Sequence, residues 1–198
     1  SLRYGLIDMK KVITGYLKGN YNDSSDKFET FNGDSLTSWT NFSWNSKHYS
    51  TSIVIPSEFT SKIKTDGKKS IILDSKIHTI THVLVNASKI LTKSESNDID
   101  AYYENGVIHL FDNTSDGYNG CSKMIYDNFQ NIMNVCYDLV NECDCPTDEK
   151  QKKQVLQGEE WGGCPKCTFT TNYCQTKNKK LSKKDALEFF SIFKKDKK

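Results

Sequence analysis

Between residues 11 and 60 apolar and polar positions alternate, and the period of two predicts strands. Val12-Ile13-Thr14-Gly15-Tyr16, Ser38-Trp39-Thr40-Asn41-Phe42-Ser43-Trp44 and Tyr49-Ser50-Thr51-Ser52-Ile53-Val54-Ile55 are the runs that carry it. Gly19-Asn20 and Asn32-Gly33-Asp34 read as the turns between them. From residue 77 the period changes. Ile77, Ile80, Leu84, Ala87 and Leu91 fall on one helical stripe over 77–91. Asp100–Tyr103 and Val107–Asp112 then alternate on either side of Glu104-Asn105-Gly106, and Asn-Gly between two such runs predicts a type I′ hairpin. The longest predicted helix covers 120–141, with Ile125, Phe129, Ile132, Met133, Cys136, Leu139 and Val140 facing inward. A last helix runs from about 183 to 194, with Ser182 as N-cap, Asp185 at the capping-box position and Phe189, Phe190 and Phe193 as anchors. The polar stretch 146–161 reads as an exposed insertion. These elements make an α+β fold: a mixed or antiparallel sheet packed with three to four helices, in a single domain over 1–198 whose first part, 1–60, is strand-rich.

Composition agrees with a soluble globular chain. The 198 residues are 36% hydrophobic and 26% charged, enough for one core. No apolar run approaches the ~20 residues of a membrane span. No charged start leads into an apolar stretch, so no signal peptide is expected, and the opening Ser-Leu-Arg without Met reads as a piece of something longer or a processed form. The net charge of +2 hides an asymmetry. Residues 150–198 hold 13 Lys against five Asp or Glu, whereas residues 1–149 hold 14 basic and 20 acidic side chains. A basic end often marks nucleic-acid contact; a solvated lysine face is the plain alternative. Because Lys supplies 26 of the 27 basic residues, codon bias also feeds these clusters.

The cysteines sharpen this asymmetry. All seven lie after residue 120, and five of them form Cys143-x-Cys145, Cys164-Pro-Lys-Cys167 and Cys174. An odd, locally dense set argues for a metal rather than a closed disulfide framework. Two short chelating arms can aim four thiolates at one zinc ion about 2.3 Å away. Gly162-Gly163 and Pro165 supply the turn chemistry of a knuckle. Cys164 and Cys167 anchor the expected set; Cys145 and Cys174 complete it, with Cys143 in reserve. Disulfides in a secreted domain are the competing reading, to which sequons at Asn22, Asn41, Asn86 and Asn113 lend a little weight. Cys121 and Cys136 read as buried thiols, Cys136 on the apolar side of its helix.

Other chemistry is sparse. Neither G-x-x-x-x-G-K-[ST] nor G-x-G-x-x-G occurs, and H-E-x-x-H and G-x-S-x-G are also absent. His78 and His82 stand four apart on one helix, a spacing that suits a metal, but no carboxylate accompanies them; a packing role is favoured. Asp112 precedes a Gly-containing turn, where a carboxylate either caps the turn or does catalysis; the cap is favoured.

The order of these pieces resembles the MrfA-type zinc-binding domain at the C-terminal end of Hrq/MrfA-like superfamily 2 DNA helicases. Val12-Ile13-Thr14-Gly15-Tyr16 resembles its V-x-G-Y strand, and Tyr49 to Pro56 its following strand. His78-Thr79-Ile80-Thr81-His82-Val83-Leu84 resembles its H-x-x-x-H-x-L helix. Leu110-Phe111-Asp112 with Gly117 and Gly120 resembles its Asp-Gly turn, here loosened. The cysteine run resembles its C-x-C…G-C-P-x-C…C, with 18 residues between Cys145 and Cys164 where the family has few. Leu181-Ser182-Lys183-Lys184-Asp185-Ala186-Leu187 resembles its closing helix start.

The resemblance implies a cytoplasmic accessory domain with structural Zn2+, partnered by helicase motor domains in cis or trans and by DNA, single-stranded or duplex, with no membrane role and no ATPase of its own. Lys177, Lys179, Lys180, Lys183 and Lys184 are the expected nucleic-acid contacts. A structural or protein-interaction zinc domain is the alternative. A hydrolase using Asp112 with His78 or His82 stands behind both.

Overall fold

A computed structural model describes residues 1–12, 19–22, 27–30, 43–61, 69–95, 97–145, 164, 166–168 and 181–194. The chain divides into two compact units, one of Ser1–Leu6 with His48–Lys198 and the other of Ile7–Lys47. Six strands and five helices are described: β1 Leu2–Val12, β2 Gly19–Asn22, β3 Lys27–Thr30, β4 Ser43–Val54, α1 Ser57–Ser61, α2 Lys69–Thr92, β5 Ile99–Glu104, β6 Val107–Asp112, α3 Cys121–Asp127, α4 Phe129–Asn141 and α5 Lys183–Ser191.

The four-stranded antiparallel sheet has the order β1-β4-β6-β5, and the larger unit holds Leu2–Leu6 of β1, His48–Val54 of β4 and all of β5 and β6. Strand β4 pairs with β6 from Ser50↔Phe111 to Val54↔Val107, and β5 with β6 from Ile99↔Asp112 to Glu104↔Val107. The β5–β6 hairpin closes on Asn105 at φ 49° and Gly106 at φ 81°. Two consecutive positive φ values are the I′ requirement, which is why Asn-Gly stands there. The sheet and α2 share the core: Ile53, Ile99, Ile108 and Leu110 meet Ile77, Ile80, Val83, Leu84 and Ala87, all 1% exposed or less. Helix α2 is buried around more than its predicted stripe because β5, α3, α4 and α5 all pack on it. Phe189 on α5 sits edge-on to Phe59 at 5.2 Å and to Phe190 at 5.3 Å, pinning the last helix.

The α+β class and the antiparallel sheet agree with the sequence reading, and several details differ. The helix expected over 120–141 is two helices, broken at Asn128, whose side-chain amide donates to the Met124 carbonyl at 2.9 Å. Asn128 departs from helical backbone angles at φ −112° and ψ 26°, although its N–H still donates to the Met124 carbonyl at 3.0 Å. Gly19-Asn20, expected as a turn, instead opens β2, where pairing with Glu29 and Thr30 of β3 governs the backbone. Strand β1 starts at Leu2, ahead of the run expected at Val12–Tyr16. Residues 13–18, 31–42 and the insertion 146–161 lie outside the described residues.

Candidate metal centre

Three elements bring the cysteines together. Helix α4 ends at Asn141, and the next turn presents Cys143-Asp144-Cys145. The second arm is a tight turn in which the Cys167 and Thr168 N–H groups donate to the Cys164 carbonyl at 3.2 and 3.0 Å. The Cys164 N–H in turn donates to the Thr168 hydroxyl at 2.8 Å. This turn is docked on α2: the Asn86 amide donates to the Cys167 carbonyl at 3.4 Å, and His82 Nδ1 lies 3.1 Å from the Thr168 carbonyl. A carbonyl only accepts, so His82 Nδ1 carries the proton in that bond. Helix α5 closes the site, since the Lys183 ammonium donates to the Cys143 carbonyl at 2.6 Å. Asp144 and Lys166, the residues between the paired cysteines of each arm, form an exposed ion pair at 3.0 Å.

The ligand atoms of Cys143, Cys145, Cys164 and Cys167 all lie within 4.8 Å of one another. Cys143 Sγ is 3.7 Å from Cys164 Sγ, and Cys145 Sγ is 3.7 Å from Cys167 Sγ. A tetrahedron with metal–sulfur bonds of 2.3 Å has edges of about 3.8 Å, so the thiols already stand at ligand spacing. A disulfide would need about 2.05 Å. The donor set and its dimensions therefore fit a tetrathiolate ion. The electrostatics also suit a cation. Burial, the Cys143 hydrogen bond and the Cys145 charge push the Cys167 thiol far up, and burial likewise raises Cys145. Burial also opposes ionisation of Cys143, but the Cys145 backbone N–H and the neighbouring thiols outweigh it and lower its pKa. Four crowded sulfurs cannot all hold negative charge without a counter-ion.

Of the expected ligands, Cys145, Cys164 and Cys167 are in the group, and the reserve Cys143 is the fourth member. Cys174 lies outside the described residues, as do Lys177, Lys179 and Lys180. Lys183 and Lys184 are described. Cys121 and Cys136 are buried thiols as expected; burial raises both, Cys136 strongly. His82 is buried and engaged at Thr168, and its ring lies 4.3 Å from that of His78. Asp112 is the cap: fully buried, it accepts from the N–H groups of Asn119 and Gly120 at 3.1 Å each and Ser122 at 2.6 Å. The helix-capping glycine, Gly120, takes φ 83°, a conformation that excludes most side chains. His82 and Asp112 are thus each engaged with backbone groups.

The fold and this site define an α+β domain with a tetracysteine centre of the metal-binding type. Residues 80–168 match the family model of the MrfA Zn-binding domain, which bears out the resemblance read from the motif order. Among solved structures, the chain is similar to the DUF1998 helicase MrfA bound to DNA, at 15% identity and TM-score 0.50 over 98% of this chain and 25% of that one. A second structure, the same helicase bound to DNA and AMPPNP, matches at 15% identity and TM-score 0.52 over 96% of this chain and 22% of that one. The chain thus spans about a quarter of the length of the structures it matches, and at this identity the likeness is one of fold. No curated protein matches the sequence. Among the described residues no helix is long and apolar enough to cross a membrane.

Proposed function

We propose that this chain is a zinc-stabilised accessory domain of a helicase or helicase-like protein, working in the cytoplasm beside motor domains and assisting nucleic-acid binding without ATPase activity of its own. The observation that carries the reading is the tetrathiolate spacing of Cys143, Cys145, Cys164 and Cys167 within a stretch that matches a zinc-binding domain. These four residues would hold Zn2+, which ties the end of α4 to the turn docked on α2. Four thiolates fill the coordination shell, so the ion's contribution is to folding. The lysine-rich end, with Lys177, Lys179, Lys180, Lys183 and Lys184, supplies sequence-independent phosphate contacts. Single-strand binding measured across a salt series tests this: affinity should fall steadily as salt rises, and no binding at low salt would overturn it.

One observation favours the structural alternative. Lys183 is committed to the Cys143 carbonyl, so part of the basic run serves the metal centre itself. Replacing Lys177, Lys179 and Lys180 with Glu separates the readings: nucleic-acid affinity drops if they contact phosphate, whereas a structural or protein-interaction domain shows no nucleic-acid binding to lose and keeps its protein partner after the change.

A further inference from the structure

Four tyrosines from distant parts of the sequence form one row. Tyr118 meets Tyr49 edge-on with ring centroids 5.2 Å apart, Tyr49 stacks on Tyr4 at 5.8 Å and 18°, and Tyr4 is tilted against Tyr126 at 5.8 Å. The Lys123 ammonium lies 5.7 Å from the centroids of both Tyr4 and Tyr126. Both ends of the row are open: Tyr118 is 52% exposed and Tyr126 37%. With Met124, on the same helix as Tyr126, they make up half of the exposed large apolar side chains among the described residues. Such a concentration marks a recognition surface, whereas single exposed apolar residues need no explanation. The row is also rigid. Tyr118 sits in the turn and Tyr126 on the helix that the Asp112 carboxylate ties together.

The chemistry of the row selects its partner. An aromatic cage for an alkylammonium needs its cation position empty, and here Lys123 occupies it. A partner with flat π faces and negative charge matches both features at once: bases stack on tyrosine, and phosphate meets the ammonium. Lys123 also pairs with Asp127 at 2.5 Å, four residues on, which holds the ammonium at the row with N–H donors to spare. We propose that Tyr118, Tyr49, Tyr4 and Tyr126 form a stacking platform for unpaired nucleobases, with Lys123 receiving a phosphate of the same strand. Its recognition is sequence-tolerant, because every base offers a π face. The proposal rests on the nucleic-acid reading above but assigns it to residues outside the lysine-rich end.

The test is the full chain with a labelled thymidine oligomer and an abasic oligomer of equal length and charge. A Tyr118→Ala, Tyr126→Ala double variant should bind the thymidine oligomer at least about tenfold more weakly, with an unchanged salt slope. Its abasic affinity should match that of the unaltered chain, and the Tyr118→Phe, Tyr126→Phe variant, which keeps the rings, should retain thymidine binding. Undiminished thymidine binding by the Ala variant overturns the platform alone. So does an equal loss on both oligomers, or a proline-rich peptide held by these tyrosines while the oligomer is indifferent to them. Failure of the unaltered chain to bind either oligomer overturns the platform together with the nucleic-acid reading beneath it.

Discussion

At the scale of single residues, Asp112 and His82 are buried polar groups committed to backbone partners, and that commitment is measurable. The Asp112 carboxylate accepts three backbone N–H groups at full burial. Asp112→Ala would leave those donors dry, so it should destabilise the chain by about 3 kcal/mol or more, read as a shift in the urea unfolding midpoint. An unchanged midpoint would mean the cap carries no load. His82 makes a pH prediction. Burial lowers its pKa below the ordinary value, with the Thr168 bond and the Asp100 charge only partly opposing. A histidine whose folded pKa is depressed binds its proton more readily in the unfolded chain. Its stability contribution is therefore intact above about pH 6.5 and lost as pH falls below that value. Asn offers a similar donor to Thr168 without titrating. His82→Asn should flatten the fall in stability below about pH 6.5 relative to the unaltered chain; parallel profiles would exclude His82 as the source.

At the scale of elements, what was legible in the sequence was what is local. Asn105-Gly106 demanded a hairpin, Ser182 capped the last helix, and the stripe from Ile77 to Leu91 foretold α2, because each rests on backbone chemistry within a few residues. The capping box shows where local reasoning stops. Ser182 Oγ accepts from the Asp185 N–H at 3.2 Å as expected. Asp185 itself turns to Lys76 of α2 at 2.5 Å, and the Ser182 N–H goes to the Thr79 hydroxyl at 2.9 Å. A tertiary partner has replaced the reciprocal bond and clamps α5 on α2. Both side chains of that ion pair are at most a quarter exposed. A double-mutant cycle of Lys76→Ala and Asp185→Ala should therefore return a coupling of about 1 kcal/mol, and a value near zero would mean the helices are joined by their phenylalanines alone. The tyrosine row was illegible for the same reason: residues 4, 49, 118 and 126 share no motif, and only the β1-β4-β6 order brings their segments side by side.

At the scale of the whole molecule, the two cysteine arms were readable from spacing, whereas the membership of the group depended on the end of α4 delivering one arm beside the other, which His82 and Asn86 hold on the body of α2. Cys145 reaches Cys167 despite the 18-residue interval between the arms, because Asn86 and His82 hold the second arm on α2 while α4 delivers the first. The hydrophobic core of sheet, α2, α4 and α5 does not run through the thiols. Chelation should therefore strip amide-exchange protection from residues 164–168 and the end of α4 while leaving Ile77–Leu84 and β6 protected. The most direct test of the account is zinc content per chain in single Cys→Ser variants. The expected result is one equivalent in the unaltered protein, loss of tight binding in Cys143→Ser, Cys145→Ser, Cys164→Ser and Cys167→Ser, and full retention in Cys174→Ser. Zinc kept by Cys143→Ser but lost from Cys174→Ser, or Cys164 recovered in a disulfide with Cys167, would contradict it.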